Sequence, residues 1–105
     1  MIRAKFYSTD NKLSGFSISG HGTQSADDFE GRLVCSAVSS AVYMAVNTIT
    51  DVIGAKIDYS DENEVFSVQV LTNLSETEVI LEGLKLHLNG LKEEYKNKIT
   101  IISEV

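Results

Sequence analysis

The amino-acid sequence predicts an α+β fold in which two helices pack on one side of a mainly antiparallel sheet, in the order β-β-α-β-β-α-β. Two observations predict this two-layer sandwich. Five short segments have the apolar pattern of strands, and two longer segments carry an apolar stripe with helical spacing. At 105 residues the chain is long enough for one core and too short for two, so residues 1–105 are expected to form a single domain.

The first two strands are expected to form a hairpin. In the opening segment Ile2, Ala4 and Phe6 alternate with Arg3, Lys5 and Tyr7, which is the pattern of a half-buried strand. A polar turn over residues 9–12 follows, and the second strand is indicated by Leu13, Phe16 and Ile18.

The next element is predicted to be a long helix from Leu33 to Ile53. A narrow polar stripe runs along it at Ser36, Ser40, Tyr43, Asn47 and Thr50. Nearly every other residue is apolar or small, so we expect a helix that is buried around most of its girth. Gly54 is expected to end the helix.

The second half of the chain repeats the pattern of hairpin and helix. Strands are predicted at Lys56–Ser60 and Val65–Leu71, with a turn at 61–63, and a capping box is predicted at Ser75–Glu78. A second helix follows with the stripe Leu81, Leu84, Leu88, Leu91 and Tyr95, and the segment 99–105 closes the sheet.

Composition restricts the possible functions. The formal net charge of −6 argues against nucleic-acid binding, which needs clustered lysines and arginines. With one cysteine the chain cannot form an internal disulfide, which suits a reducing compartment. No apolar run is expected to reach the roughly 20 residues of a membrane span, and the alternating N-terminus is unlike a signal peptide. We therefore expect a cytoplasmic protein that does not bind membranes.

The most informative residues are Cys35 and His21, which lies fourteen positions before it in a glycine-rich loop. A cysteine attacks a carbonyl as the thiolate, and a nearby imidazole can accept its proton. Cys35 is expected in the first turn of the long helix, where free backbone N–H groups would favour the anion and receive an oxyanion. The residues thus indicate thiol chemistry.

Each of these residues also has a structural interpretation. Cys35 would pack well in a core beside Val34 and Val38, and a loop histidine is often only solvated. Ser39, one turn after Cys35, could donate a hydrogen bond into the site or bond back to a helical carbonyl. His87, in the leucine-rich second helix, is expected to be structural or exposed.

The wider pattern resembles the ribosomal-processing cysteine protease family called Prp. The likeness covers nearly the whole chain, and its most specific elements are the Gly20-His21 pair, the Val34-Cys35 pair and the small-residue helix that follows. The resemblance implies that His21 and Cys35 are catalytic, that the enzyme is a homodimer, and that it removes the N-terminal extension of the large-subunit ribosomal protein L-twenty-seven. The expected supporting or substrate-binding residues are Gly20, Gly22, Ser36 and Ser39.

One position departs from the family pattern. Relatives carry an aspartate three places before the cysteine, where this chain has Arg32. Either a carboxylate of Asp27, Asp28 or Glu30 takes over the role of this aspartate, or His21 and Cys35 work without a carboxylate. Arg32 could also stabilise the thiolate by its charge.

These inferences together predict a cysteine endopeptidase that cuts an extended N-terminal segment of a ribosomal protein precursor. No cluster of ligands with metal spacing and no phosphate-binding glycine motif is present, so no cofactor and no metal are expected. The alternative is a non-catalytic, ribosome-associated binding module with a structural cysteine. A thiol redox enzyme is poorly supported, because no second cysteine is present to resolve an intermediate.

Overall fold

The computed structural model describes residues 1–20 and 28–104. The first half consists of strand β1 (Ile2–Thr9), strand β2 (Lys12–Ser19) and helix α1 (Phe29–Asn47), which ends in one π-helical turn (Thr48–Val52). The second half consists of strand β3 (Ile57–Glu62), strand β4 (Val65–Val70), helix α2 (Leu74–Glu94) and strand β5 (Ile99–Glu104). The predicted order β-β-α-β-β-α-β is confirmed.

The five strands form one sheet in the order β3-β4-β2-β1-β5. Neighbouring strands are antiparallel except β1 and β5, which run parallel with Ile2 opposite Ile99. The sheet is therefore mainly antiparallel, as predicted, and α2 is the crossover that brings the chain from β4 at one side to β5 at the other edge.

Both two-residue hairpin turns are built from residues with positive φ. Asp10 and Asn11 have φ of 51° and 66°, and Asn63 and Glu64 have φ of 54° and 62°. Turns of this kind match the twist of the strands they join. The second turn lies two residues later than predicted, so Asp61 and Glu62 belong to β3 rather than to the loop.

The core lies between the sheet and the helices. Phe6 and Phe16 are fully buried with ring centroids 6.1 Å apart, and Phe66 packs 6.3 Å from Phe16. The helices contribute a buried row each, consisting of Val34, Val38, Val42, Ala45 and Ile49 from α1 and its π turn, and Leu81, Leu84 and Leu88 from α2.

Helix α1 begins four residues earlier than predicted. Asp28 is its N-cap, and the backbone N–H of Gly31 donates to Asp28 Oδ1 over 2.9 Å. A carboxylate in this position satisfies an amide that has no partner within the helix and interacts favourably with the helix dipole. The side chain of Asp28 therefore sets the start of the helix, ahead of the apolar run that indicated Leu33.

The prediction that this helix is buried around most of its girth is wrong. Only one face of α1 packs on the core, while Leu33, Met44 and Val52, which lie outside the predicted polar stripe, are 44%, 53% and 80% exposed. Ser36 and Ser40, which belong to that stripe, are exposed as expected. A two-layer fold covers a helix from one side only, and apolar composition alone does not report that.

The expectation that no apolar run reaches the length of a membrane span is wrong for the segment Phe29–Val52. It has 24 residues and a mean hydropathy of 1.5, which by length and composition would allow it to cross a membrane. A single helix of this kind is weak evidence for a span, because the core helix of a soluble protein meets the same criteria. In this fold its buried row packs against the core.

The predicted capping box at the start of α2 is wrong. The N-cap is Asn73, in a left-handed conformation with φ of 57°, and its side chain caps no backbone amide. Ser75 and Glu78 instead bind the start of β2, since Lys12 Nζ donates to Ser75 Oγ over 3.0 Å and Leu13 N donates to Glu78 Oε2 over 3.2 Å. These side chains fasten α2 to the sheet.

Candidate active site

Cys35 lies in the second turn of α1, between the buried Val34 and the exposed Ser36. Its side chain is half-buried, packs against the edge of the core and forms no disulfide. A thiol in this position is held rigidly by the helix while part of it faces outward. Such a side chain can meet a bound peptide without movement of the backbone.

The expectation that Cys35 occupies the first turn of the helix is wrong. Because α1 begins at Phe29, Cys35 is its seventh residue. Already at Arg32 the backbone N–H donates within the helix, to the carbonyl of Asp28 over 3.1 Å. The field of a helix dipole falls off within the first turn. The free amides therefore lie ahead of the cysteine and do not surround it.

The start of α1 is tied to the far end of the chain. Asp28 Oδ2 accepts a hydrogen bond from Lys98 Nζ over 2.8 Å, and these side chains are only 12% and 16% exposed. Asp28 thus caps the helix through one oxygen and pairs with Lys98 through the other. Of the three carboxylates proposed to replace the family aspartate, Asp28 has the capping role, Glu30 is exposed, and Asp27 lies outside the described residues.

Gly20 fixes the point at which the chain leaves β2. Its φ is +82°, and a Cβ at this position would overlap the backbone carbonyl oxygen of Met1. Only glycine meets both conditions without strain. His21 is the next residue, so Gly20 determines where the segment carrying the histidine begins. His21 and Gly22 themselves lie outside the described residues.

The two serines after Cys35 face different surroundings. Ser39 is exposed and lines a groove beside α1, whereas Ser36 is exposed elsewhere on the helix. Within residues 1–20 and 28–104 the hydroxyl of Ser39 makes no hydrogen bond to a helical carbonyl. It is therefore oriented toward the groove, one helical turn from Cys35.

The groove lies between α1 and the β3-β4 side of the sheet and has a volume of about 520 Å³. Its floor is apolar, with Ile18, Val38, Val42, Val46, Ile57 and Phe66, and its walls include Ser39, Tyr43, Asn47, Thr50, Tyr59 and Asp61. Cavities of this size hold small molecules or a few side chains of a peptide. The groove follows the face of α1 on which Cys35 lies, at positions four and eight residues further along.

His87, the second histidine, lies exposed on α2. It does not line the groove beside Cys35. Its exposed position agrees with the expectation that it is structural or exposed.

A family comparison decides the class of the protein. Residues 1–100 match the family model described as cysteine protease Prp. The chain belongs to the Prp family. It is therefore a cysteine protease, an enzyme that hydrolyses peptide bonds. A sequence comparison with curated proteins finds no match.

Solved structures share the fold over nearly the whole chain. The ribosomal processing protease Prp from Staphylococcus aureus in complex with a substrate peptide is 21% identical, with a TM-score of 0.84 over 99% of this chain and 100% of that one. The same protease with a covalently linked product peptide is 23% identical, with a TM-score of 0.80 and the same coverage. The protein SMU.848 from Streptococcus mutans is 20% identical, with a TM-score of 0.77 over 99% and 96% of the two chains.

Two residues near this site were missed by the interpretation of the sequence. Asp61 had been placed in a turn, yet it lines the groove from β3. Lys98, just before the last strand, was not singled out, yet it pairs with Asp28 and holds the start of α1. Alternation along β3 would have found Asp61, since Ile57, Tyr59 and Asp61 share one face. No local signal indicates the Lys98 contact, because its partner is 70 residues away.

Proposed function

We propose that Cys35 is the nucleophile and His21 the general base of this protease, and that its substrate is the N-terminal extension of ribosomal protein L-twenty-seven. The observation that carries the proposal is the position of Cys35, half-buried on α1 one helical turn before Ser39, which lines a groove large enough for several peptide side chains. The Prp resemblance of the Gly20-His21 and Val34-Cys35 pairs supports the assignment of the two residues.

The chemistry proceeds in two stages. His21 accepts the thiol proton, the sulfur of Cys35 attacks the scissile carbonyl carbon, and the carbon–nitrogen bond breaks as His21 returns the proton to the leaving amine. Water then attacks the thioester, with His21 as base, and releases the carboxylate product and the free thiol. Two covalent steps with lower barriers replace one difficult hydrolysis.

The other proposed site residues position the two catalytic residues and the bound peptide. Gly20 sets the start of the segment that carries His21 and Gly22, and Asp28 fixes the start of the helix that carries Cys35. Ser39 donates a hydrogen bond to peptide bound in the groove, and Ser36 supplies a small side chain next to the nucleophile. We propose that the enzyme works without a metal or another cofactor, as a homodimer in the cytoplasm, and binds neither nucleic acid nor membranes.

The non-catalytic binding module is not favoured, because the family to which the chain belongs consists of proteases. The structures of the Staphylococcus aureus relative with substrate and product peptides add that this fold binds peptides in that protein. The thiol redox alternative has no second cysteine in the chain to support it.

The test is cleavage of a defined peptide. The purified full-length protein is incubated with a synthetic peptide that spans the N-terminal extension of L-twenty-seven and its first mature residues, and the products are read by mass spectrometry. We expect a single cut that iodoacetamide abolishes by alkylating Cys35. Absence of any cut in this peptide, under conditions in which the Prp protease from Staphylococcus aureus cleaves it, would contradict the proposed substrate.

A further inference from the structure

We propose that Lys98 is a positioning residue of this protease, because it connects Gly20 and Asp28, the two residues on either side of the segment that contains His21. The inference rests on the proposed function, in which His21 is the general base for Cys35. It is carried by three contacts that Lys98 makes through three different groups, its side-chain ammonium, its carbonyl and its backbone N–H.

The side chain of Lys98 holds the start of α1. Its Nζ donates to Asp28 Oδ2 over 2.8 Å, and the two side chains are only 16% and 12% exposed. An ion pair that is largely shielded from water is stronger than an exposed one. The other oxygen of Asp28 accepts the N–H of Gly31, so the first turn of the helix depends on the same carboxylate. Lys98 therefore fixes the residue that follows the segment 21–27.

The main chain of Lys98 supports the other end of this segment. Its carbonyl accepts a hydrogen bond from Ile2 N over 2.9 Å, which holds the start of β1 beside residue 98. Gly20 packs so closely on the neighbouring Met1 carbonyl oxygen that a Cβ on Gly20 would overlap it. A shift of the start of β1 would therefore move Gly20, the residue directly before His21.

Lys98 can hold both points because its own backbone is fixed. Its N–H donates to the carbonyl of Tyr95 at the end of α2 over 3.3 Å. Asn97, with φ of 69°, turns the chain between α2 and β5, and Tyr95 packs against the core. The three polar groups of Lys98 thus engage α2, β1 and α1, and three elements meet at one residue.

This junction matters for catalysis because a general base must stand within hydrogen-bond distance of the group that it deprotonates. His21 directly follows Gly20, and Cys35 lies on α1, seven residues after Asp28. The two proposed catalytic residues therefore belong to the two parts of the chain that Lys98 joins. A displacement of about 1 Å between reacting groups can lower a rate roughly a hundredfold.

The groove is built from other parts of the chain. Its described lining comes from β2, α1 with its π-helical turn, β3 and β4, and neither Asp28 nor Lys98 belongs to it. Loss of the contact between these two side chains should therefore act on kcat and leave KM nearly unchanged. A residue that only stabilised the fold would not produce this separation.

The experiment compares the wild type with Lys98→Met, Lys98→Arg, Asp28→Asn, His21→Ala and the control Lys12→Met. Lys12 is a matched control, because its Nζ also joins the start of a helix to the sheet, through Ser75 Oγ over 3.0 Å. Asp28→Asn keeps a side chain that can cap the helix but removes the charge. Melting temperatures measured by circular dichroism verify that every variant is folded at the assay temperature.

Two measurements are made on each enzyme. Steady-state cleavage of the L-twenty-seven peptide gives kcat and KM. Alkylation of Cys35 by iodoacetamide is timed at neutral pH and at about pH 10, where an accessible thiol is ionised without a base. The ratio of the neutral to the alkaline rate therefore reports the assistance of His21 separately from access to the sulfur.

We expect Lys98→Met and Asp28→Asn to lower kcat about tenfold and the alkylation ratio about threefold, with KM within about twofold of the wild type. His21→Ala should lower both kcat and the ratio further. Lys98→Arg should recover most of the loss, because a guanidinium group also pairs with a carboxylate. Lys12→Met should keep the wild-type kcat and ratio.

The results separate this inference from the proposed function. If His21→Ala is slow while Lys98→Met and Asp28→Asn match the wild type, the inference is overturned and the catalytic pair stands. It is also overturned if Lys12→Met loses as much as Lys98→Met, or if Lys98→Arg recovers nothing. If no enzyme cuts the peptide, the proposed substrate fails, and the alkylation ratios decide the inference. If His21→Ala matches the wild type in both measurements, the catalytic pair and the inference fail together.

Discussion

Asp28 and Lys98 form an ion pair of 2.8 Å across 70 residues of sequence, and the same carboxylate caps the helix that carries Cys35. The pair connects the start of α1 to the residue just before β5. One carboxylate therefore determines where the helix that carries Cys35 begins and holds that point against the sheet.

This dual role predicts graded effects on stability. Asp28→Asn keeps a capping side chain but loses the charge, and should lower the free energy of unfolding by about 1–3 kcal/mol. Asp28→Ala also loses the cap and should cost about 1 kcal/mol more. Urea unfolding measures both values. The exposed Asp58→Asn should stay within about 0.5 kcal/mol of the wild type.

A double-variant cycle tests the coupling itself. If the ion pair stabilises the fold, Asp28→Asn combined with Lys98→Met should lower the free energy of unfolding by less than the sum of the two single changes. Strict additivity would contradict a stabilising contact between the two side chains.

The order of elements was predictable because it depends on local patterns. Alternation in the strands, the apolar run of α1 and leucine spacing in α2 gave all seven elements, and the hairpin turns are built from residues with positive φ. The starts of both helices were not predictable from local rules. Asp28 caps α1 ahead of its apolar run, and Ser75 and Glu78 bind β2 instead of capping α2.

The site was predictable only in part, for a related reason. Cys35 and the sequence around it indicated thiol chemistry, since a single cysteine in a family-like motif is a local signal. Asp61 and Lys98 gain their roles from strands and helices that meet only in the folded chain. Residues whose contacts are distant in sequence carry no periodic pattern that would identify them.

Replacement of the nucleophile should separate chemistry from binding. Cys35→Ala removes a half-buried thiol and should leave the fold intact while abolishing cleavage. Cys35→Ser should be nearly inactive as well, because a hydroxyl is much harder to deprotonate than a thiol. Both variants should bind the substrate peptide with wild-type affinity, as measured by fluorescence anisotropy. Turnover that survives in Cys35→Ala would disprove its role as nucleophile.

The two histidines provide a matched pair. His21→Ala should lower kcat roughly a hundredfold or more, in the range usual for the loss of a general base. His87→Ala, on the exposed side of α2, should leave kcat unchanged. Steady-state cleavage of the same peptide measures both. A loss confined to His87→Ala would show that the wrong histidine has been assigned.

Arg32 lies three residues before Cys35, close to the same face of α1. We expect this cation to speed the reaction of the thiol with electrophiles, so Arg32→Ala should slow alkylation of Cys35 by iodoacetamide at neutral pH. Lys56→Ala removes a cation beside the far end of this helix, where Ala55 N donates to the carbonyl of Ile49, and should leave the rate unaltered. Identical alkylation rates in the wild type and in Arg32→Ala would mean that Arg32 does not act on the thiol.

Gly20 should tolerate substitution poorly. With φ of +82° and the Met1 carbonyl oxygen in the way of any Cβ, Gly20→Ala must displace either the N-terminus or the segment that begins at His21. We expect a loss of at least about 1 kcal/mol in the free energy of unfolding and a larger fractional loss of kcat, because the histidine moves.

Gly83 and Gly90 provide the control for Gly20. Both lie exposed on α2, and a Cβ at either position meets no atom within 4 Å. Alanine there should raise the free energy of unfolding by about 0.5–1 kcal/mol, because glycine in a helix interior costs more conformational entropy than alanine. Thermal unfolding and peptide cleavage are measured on all three variants. A Gly20→Ala enzyme as active as Gly83→Ala would show that the exit of the chain from β2 does not position His21.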